Sequence, residues 1–216
     1  MTVTSIGAGC GRRTWHNGVT VFNPTGSMQS SRLRNAGGMT LGSSARAVTL
    51  KDGRTLGLRL ARSEDACGVQ RFVQGLSERS RRNRFFTPVR ELSSDQLERM
   101  TRSHPPGELA LVVETSEAAE SRIVAMAQYV VCETLDAEFA VVVDDTWQRQ
   151  GLGILLVGVL AEQAARAGLK AFAGLVLADN WPMLALLTRL DCELVPDRDP
   201  YIVRVFKRLD LHRPAA

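Results

Sequence analysis

The sequence predicts a mixed α/β domain built on a mostly antiparallel sheet. Three strand-like runs follow one another within residues 109–144 and are separated by short polar turns, which is typical of an antiparallel meander. A glycine-bearing turn then leads into a long apolar run with helical spacing at 152–167. The expected order is two strands, two helices, three strands, a helix, a strand, a helix and two strands.

The first elements are marked by turn and cap residues. Apolar residues alternate on both sides of Asp52 and Gly53, which predicts a hairpin. Ser63 is a predicted N-cap, followed by two acidic residues in the first turn of a helix that runs to about Leu76. Ser93 or Ser94 is expected to open a second helix.

Composition divides the 216-residue chain into a tail and one domain. Residues 1–46 contain five of the 27 basic residues and none of the 23 acidic ones, so the remainder carries 22 basic and 23 acidic residues. We interpret 1–46 as a disordered basic tail, or as the product of a start codon assigned too early, since Met28 and Met39 lie within it. Residues 47–210 form the predicted domain, whose balanced charge argues against a nucleic-acid partner.

The composition also bears on location and on metals. No run of about 18 apolar residues predicts a membrane span, and the N-terminus lacks a signal-peptide pattern, so a cytoplasmic protein is expected. The four cysteines are each more than fifty residues apart and form no CxxC pair or Cys/His cluster. We therefore expect no metal site.

The glycine turn between a strand and a helix predicts an anion site, because the first N–H groups of a helix lack internal partners. A P-loop requires Lys and Ser or Thr after its second glycine, but Ile154 and Leu155 follow Gly153. A dinucleotide fingerprint requires a third small residue where Leu156 stands. A turn that serves packing alone is the remaining alternative to a third type of phosphate site.

That third type is suggested by the pattern Q-x-x-G-x-G at 148–153, which resembles the acetyl-CoA pyrophosphate loop of GNAT N-acetyltransferases. The resemblance extends over 48–208. The segments AEFAVVV, WQRQGLG, VLADNWPML and LSERSRRNRFF look most similar to the GNAT domain of bacterial Pat-type protein lysine acetyltransferases. The resemblance implies the GNAT fold, with a central sheet splayed at the cofactor site and helices on both faces. It also implies acetyl-CoA as cosubstrate. The implied cofactor contacts are Val141, Val143, Arg149, Gln150, Gly151, Leu152, Gly153, Ile154 and Asn180.

Acetyl transfer to an amine requires a base, because a free lysine has a pKa of about 10.4. Glu138 lies six residues before Asp144, or roughly 20 Å at strand rise, so a pantetheine arm running back from the turn would bring its thioester near it. The resemblance also implies that the acid in AEFAVVV is the base. The alternative is a surface or salt-bridged glutamate, and Glu114 and Glu133 are weaker candidates. Asn180 is either a pantetheine contact, an N-cap, or both.

The sequence departs from the family pattern after Asn180. Leu187 stands where many members have a tyrosine acid, and Asp191 and Cys192 replace a glycine and a phenylalanine. Water, or no acid at all, would then serve the leaving thiolate. Tyr129 and Tyr201 are expected to pack in strands. A covalent role for Cys192 is the alternative that no neighbouring histidine supports.

A basic run separates the first two expected helices. Two tryptophans also lie near the predicted cofactor site, Trp147 before the glycine turn and Trp181 after Asn180. The run is a solvated helix end or a contact for an acidic substrate surface or the cofactor's 3′-phosphate. Trp181 is expected to be half-buried, and Trp147 to cover the turn. The arginines of the run are Arg79, Arg81, Arg82 and Arg84.

The combined prediction is an enzyme that moves an acetyl group from acetyl-CoA to an amine by direct attack. The resemblance favours a protein lysine side chain as acceptor. A small-molecule amine acetyltransferase of the same fold is one alternative, and a non-catalytic CoA-binding sensor module is another. No nucleic acid or membrane is expected among the partners, and the oligomeric state is left open.

Overall fold

The computed structural model describes residues 45–115, 121–132 and 136–209. The predicted tail lies outside the described residues except for its last two positions. The strands are β1 (Arg46–Thr49), β2 (Thr55–Leu60), β3 (Glu108–Thr115), β4 (Ile123–Val131), β5 (Asp136–Val143), β6 (Ala171–Leu177), β7 (Glu193–Pro196) and β8 (Ile202–Arg208). The helices are α1 (Ala66–Gly75), α2 (Glu78–Phe85), α3 (Ser94–Thr101), α4 (Leu152–Arg166) and α5 (Trp181–Arg189).

The eight strands form one sheet in the order β1-β2-β3-β4-β5-β6-β8-β7. Neighbouring strands are antiparallel except for β5 and β6, which are parallel and are joined by α4. The predicted mixed, mostly antiparallel sheet is thereby confirmed. The meander of β3, β4 and β5 is paired over nearly its whole length.

The parallel pair is short, and this opens the sheet. β5 and β6 pair at only three positions, of which Glu138 opposite Ala173 is the last. Beyond it, 139–143 of β5 and 174–177 of β6 do not pair with each other, although β5 still pairs with β4 and β6 with β8. The two strands therefore border an opening, which we call the wedge, with Glu138 at its apex. The predicted splay is confirmed.

Local signals explain the first hairpin and α3. Gly53 has a φ of +87°, and the N–H of Arg54 donates to Asp52 Oδ1 at 3.1 Å, so the Asp-Gly turn forms as expected. Ser93 caps α3, accepting from the N–H of Gln96 while the Gln96 side chain accepts from the Ser93 N–H. This reciprocal cap confirms the helix start that the sequence predicts.

Two details of the N-terminal half differ from expectation. A 3-10 turn at Ser63–Asp65 precedes α1, so Ser63 lies inside this turn and caps nothing. The segment of the basic run is itself a helix, α2, which the sequence pattern did not predict. Its buried positions are mostly polar or charged, so no apolar period marks it; they are Ser80, Asn83, Arg84 and Phe85.

The two faces of the sheet are covered differently. One face carries an aromatic cluster, in which Phe139 stacks on Phe172 with ring centroids 5.1 Å apart and Tyr129 lies 6.1 Å from Phe172. Glu138 alternates with Phe139 along β5 and so points to the opposite face of the sheet. Within the described residues, no helix combines the length and apolarity needed to cross a membrane.

Candidate active site

The glycine turn has the geometry of an anion site. Gly151 is the N-cap of α4 with a φ of +90°, a left-handed conformation that an L side chain rarely adopts. A Cβ built there would meet no atom within 4 Å, so the backbone faces open space. The first helical hydrogen bond is donated by Leu155 N–H to Gly151 C=O at 3.1 Å. The N–H groups of 152–154 thus have no partner within the helix and lie at the positive end of a 15-residue helix.

Side chains from a distant hairpin hold this turn in place. Arg54, which follows the β1–β2 turn, donates to Gln150 Oε1 at 2.6 Å. Its guanidinium lies 4.1 Å from the centre of the Trp147 ring and also pairs with Asp52. Trp147 is buried beneath this contact and is therefore a support of the turn. Sequence reasoning missed Arg54, because its neighbours indicate only a hairpin.

The turn is also tied to the start of α2. Asp145 accepts hydrogen bonds from the N–H and hydroxyl of Ser77 at 2.8 and 2.7 Å and from the hydroxyl of Ser80 at 2.7 Å. Gln148 donates to Val143 C=O at 3.1 Å and to the Ser80 hydroxyl at 3.3 Å. We call this set of contacts the Asp145 clasp. It links the glycine turn to the helix that packs on the apex of the wedge.

The backbone of β5 lines the wedge in a regular way. Asp144 N–H donates to Val124 C=O, and Cys132 N–H donates to Asp136 C=O, so the even-numbered residues of β5 bond to β4. The N–H groups of Val141 and Val143 therefore point to the other edge of the strand, into the wedge. These are the two valines that the resemblance implied as cofactor contacts.

Glu138 lies at the apex in an unusual electrostatic environment. Its side chain is half-buried, and burial raises the pKa of its carboxyl group to about 7, although the positive charge of Arg84 opposes this rise. Arg84 on α2 is only 1% exposed. Burial lowers the pKa of its guanidinium to about 10, against the effect of Glu138, so it stays charged near neutrality. A carboxyl group that titrates near pH 7 suits a general base.

Asn180 lies at the opposite side of the wedge, just after β6. It is the N-cap residue of α5, but its side chain makes no cap hydrogen bond. The side chain is 1% exposed, and its Nδ2 atom has no hydrogen-bond partner among the described residues. A buried amide donor without a partner is costly and fits a ligand that supplies the missing acceptor. Next to it, Asp179 pairs with Arg82 of α2 at 2.8 Å.

The weaker base candidates do not share this environment. Both oxygens of Glu114 accept from Arg59, at 2.7 and 3.1 Å, and the same guanidinium binds Asp65. Glu114 thus belongs to a charge network between β2, β3 and the 3-10 turn. Glu133 lies outside the described residues.

The structure also locates the residues where the family pattern is broken. Leu187 is fully buried in α5, and its hydrocarbon side chain has no proton to donate to the thiolate. Burial raises the pKa of the Cys192 thiol to about 11, which argues against a nucleophile. Asp191 adopts a φ of +55°, in the left-handed region that favours glycine. Tyr129 is buried in its strand as expected, whereas Tyr201 is 74% exposed, which corrects the expectation that it packs.

The remaining expectations are partly corrected. Trp181 is 71% exposed and is not half-buried. The basic run does not act as one surface: Arg84 is buried, Arg82 forms an ion pair, and Arg81 donates to the carbonyl groups of Leu76 and Gln74. Within the described parts of the chain, no three His, Cys, Asp or Glu side chains group as ligands for a metal ion.

Comparison with known proteins gives these features a context. Residues 118–199 match the family described as FR47-like protein. The chain is 31% identical over 153 residues to acetyltransferase PA5475 of Pseudomonas aeruginosa, which covers 70% of this chain and 81% of that protein.

Solved structures agree with this match. The GNAT domain of S. lividans PAT is 25% identical, with a TM-score of 0.69, covering 76% of this chain and 97% of that domain. A cAMP-binding acyltransferase from Mycobacterium smegmatis shares the fold, with 24% identity and a TM-score of 0.54. The chain covers 48% of the length of that protein. The chain belongs to the FR47-like/GNAT family of acetyltransferases.

Proposed function

We propose that this acetyltransferase moves an acetyl group from acetyl-CoA to a lysine side chain of a protein, with Glu138 as general base. The observation that carries the proposal is the position of Glu138. This half-buried carboxyl group, with a pKa of about 7, lies at the apex of a wedge, and β5 leads from there to the N–H groups that have no helical partner at the start of α4. One strand, β5, thus connects an anion site with a base.

The residues present fit acetyl-CoA along the whole wedge. The N–H groups of 152–154 bind the pyrophosphate, since they point outward at a helix N-terminus. The backbone of Val141 and Val143 bonds to the pantetheine arm, and the Asn180 amide meets an acceptor on it. The contacts are mostly backbone groups, so they select the common CoA skeleton and leave the acceptor to other residues.

Glu138 takes a proton from the acceptor ammonium group. The neutral amine then attacks the thioester carbonyl carbon, forming the C–N bond as the C–S bond breaks. The second proton of the nitrogen passes through solvent to the departing thiolate. A thiol with a pKa of about 8.5 is a good leaving group near neutrality, so the buried Leu187 in place of a tyrosine does not prevent the reaction.

A protein acceptor is favoured by the comparisons and by the rim of the wedge. The GNAT domain of S. lividans PAT matches with a TM-score of 0.69, and the chain covers 97% of it. Tyr201 C=O accepts from Ala178 N–H just after β6, and both Tyr201 and Trp181 are strongly exposed there. Exposed aromatic side chains at a site entrance suit contact with another protein surface.

The test compares acceptors and a catalytic variant. Wild type, Glu138→Gln and the matched control Asp136→Asn, altered on the same strand face, are incubated with acetyl-CoA and either cell proteins or a panel of small amines. We expect lysine acetylation by mass spectrometry, a fall in kcat of about 10²–10⁴-fold for Glu138→Gln, and little change for Asp136→Asn. Acetyl-CoA affinity by calorimetry should be similar in all three.

Each other outcome has a definite meaning. Turnover of small amines without protein acetylation would mean that the acceptor is a small amine and not a protein lysine. Binding of acetyl-CoA without turnover of any amine would indicate a CoA-binding module. A Glu138→Gln enzyme with full activity and an unchanged pH–rate profile would remove Glu138 from the base role.

A further inference from the structure

The side chain of Arg54 joins the first hairpin to the glycine turn. Arg54 follows the turn between β1 and β2, at one edge of the sheet, whereas the glycine turn follows β5. Its Nη2 group donates to Gln150 Oε1 at 2.6 Å, across 96 positions of sequence. The hairpin does not need this bond for its own turn, because the N–H of Leu50 donates to Arg54 C=O at 2.8 Å and closes it. The long-range bond therefore acts on the glycine turn.

The guanidinium of Arg54 is oriented from two further sides. Its Nε group donates to Asp52 Oδ2 at 2.8 Å, and Nη2 lies 2.7 Å from the same oxygen, so one edge of the group is held. Its flat face lies 4.1 Å from the centre of the buried Trp147 ring. The end of the group then points at Gln150. A lysine ammonium has neither the fork nor the flat face, so positive charge alone does not reproduce this arrangement.

The residue that Arg54 binds stands between two left-handed residues. Arg149 has a φ of +64° and Gly151 a φ of +90°. Left-handed backbone is unfavourable for a residue with a Cβ and persists where surrounding contacts hold it. Among the described residues, Arg54 is the only hydrogen-bond partner of the Gln150 side chain. This anchor lies directly before the helix start that carries the N–H groups of 152–154.

We propose that Arg54 is a positioning residue for cofactor binding. Acting through Gln150, it holds the glycine turn in the conformation that directs the N–H groups of 152–154 to the pyrophosphate of acetyl-CoA. The inference rests on the proposed phosphate site, but not on the role of Glu138. A turn without this anchor has to be ordered by the cofactor itself, and the cost of ordering lowers affinity. The first hairpin is thereby a functional part of the cofactor site.

The first test measures cofactor affinity by calorimetry. Wild type, Arg54→Met, Gln150→Ala and the double variant are titrated with CoA and with dephospho-CoA, which lacks the 3′-phosphate. We expect each single variant to lose about tenfold in affinity for both compounds, as for a partly exposed hydrogen bond from a charged donor. The double variant should be no weaker than the singles, because the two residues act through one bond.

Two control variants separate position from charge. Arg54→Lys keeps the charge without the fork, so its affinity should stay close to that of Arg54→Met. Lys51→Met removes an exposed charge from the same hairpin and should bind CoA as wild type does.

The second readout requires no cofactor. Nitrogen-15 relaxation of the cofactor-free protein reports the order of the backbone N–H groups of 150–153. In Arg54→Met and Gln150→Ala, their order parameters should fall from about 0.85, typical of rigid backbone, toward 0.6. Lys51→Met should leave them unchanged. A merely structural role for Arg54 would lower the melting temperature and leave the order of the turn and the affinity for CoA as they are.

The outcomes separate this proposal from the proposed function. Unchanged CoA affinity in a folded Arg54→Met, while Gly151→Glu loses affinity, would overturn the role of Arg54 and retain the phosphate site. Losses that add in the double variant, that vanish with dephospho-CoA or that Arg54→Lys restores would indicate direct charge contact with the cofactor, and would overturn positioning. If Arg54→Met does not fold, full affinity in Gln150→Ala, which leaves the hairpin intact, would overturn the proposal. A wild-type chain that binds no CoA would overturn the proposed function itself.

Discussion

The two ends of β5 carry out different tasks with different kinds of groups. At its C-terminal end, Asp144 leads into a turn where backbone N–H groups of 152–154 and a left-handed Gly151 form the proposed anion site. At the wedge apex, the working groups are side chains, the carboxyl group of Glu138 and the buried guanidinium of Arg84. α2 connects the two ends, since it is clasped by Asp145 at its start and carries Arg84 near its finish.

This difference determines what each end tolerates. A backbone site depends on conformation, so it requires glycine at one position and places few demands on neighbouring side chains. A base in a desolvated position depends on charges brought from other elements, so it responds to changes far away in sequence. Binding and ionisation should therefore be separable by substitutions at the two ends.

The largest effect is expected from Gly151→Glu. The new side chain enters open space beside the proposed phosphate site, where its carboxylate repels the pyrophosphate. We expect acetyl-CoA affinity by calorimetry to fall roughly thousand-fold, about 4 kcal/mol. The pH midpoint for ionisation of the Glu138 carboxyl group, followed by carbon-13 NMR, should stay unchanged. Gly151→Ala is the matched control, which introduces the same backbone strain without the charge and should lose less affinity.

If Gly151→Glu bound acetyl-CoA as tightly as wild type while remaining folded by circular dichroism, the turn would not be the phosphate site. If it also shifted the Glu138 midpoint, the two ends of β5 would not be independent.

The next effect is a pH dependence of stability that originates at the apex. The pKa of Glu138 is raised from 4.5 to about 7 in the folded chain, so the folded state binds a proton more tightly than the unfolded state. This contribution to stability is fully present below about pH 4.5 and is lost as the pH rises to 7, by about 3 kcal/mol at 1.4 kcal/mol per pKa unit. Urea unfolding should show this loss in wild type and in Asp136→Asn. It should be absent in Glu138→Gln.

Parallel stability–pH curves for wild type and Glu138→Gln would contradict this expectation. They would mean that the carboxyl group titrates alike in the folded and unfolded states, and that burial at the apex is offset in full.

The turn end could be predicted from the sequence, whereas the environment of the base could not. The spacing of Gln148, Gly151 and Gly153 is local, so it predicts the anion site and, with the surrounding strands, the fold. Glu138 is predicted as the base from its distance along one strand together with the family resemblance. The buried state of Arg84 depends on the packing of α2 against β5, which joins residues more than fifty positions apart.

Helix α2 was missed for a related reason. Its buried positions include a serine, an asparagine and an arginine, so the apolar periodicity that predicts helices is lacking. The cap at Ser77 and the acid in the first turn, Glu78, were the signals that could have found it. The exposed Trp181 was misjudged similarly, because the sequence gives no information on which apolar residues lie at the rim of an opening.

A moderate effect is expected from breaking the connection between the two ends. Asp145→Ala removes the acceptor for the N–H and hydroxyl of Ser77 and the hydroxyl of Ser80. These contacts are partly exposed, so we expect a loss of about 1–2 kcal/mol in the free energy of unfolding. Acetyl-CoA affinity should also weaken, because the same aspartate opens the glycine turn. Asp95→Ala, which removes an acid from the first turn of α3, is the control.

Only a uniform loss of stability, with acetyl-CoA affinity and the Glu138 midpoint both unchanged, would show that the clasp does not couple the ends. A change only in the pH midpoint of Glu138 ionisation would show that α2 affects the apex of the wedge but not the glycine turn.

The smallest effect is expected at Asp191, which lies at neither end. The family pattern has glycine there, and the aspartate keeps the left-handed backbone with a φ of +55°. Left-handed backbone is unfavourable for L residues but least so for Asp and Asn, and glycine gains flexibility in the unfolded chain, so the two terms largely offset each other. We expect Asp191→Gly to raise the free energy of unfolding by about 0.5 kcal/mol and Asp191→Asn to leave it nearly unchanged. Acetyl-CoA affinity and the pH midpoint of Glu138 ionisation should not change in either variant.

A loss of stability in Asp191→Gly would show that the aspartate side chain contributes to the turn after α5. A loss of affinity would extend the cofactor site beyond β5 and Asn180, and would mean that the departure from glycine was tuned for binding.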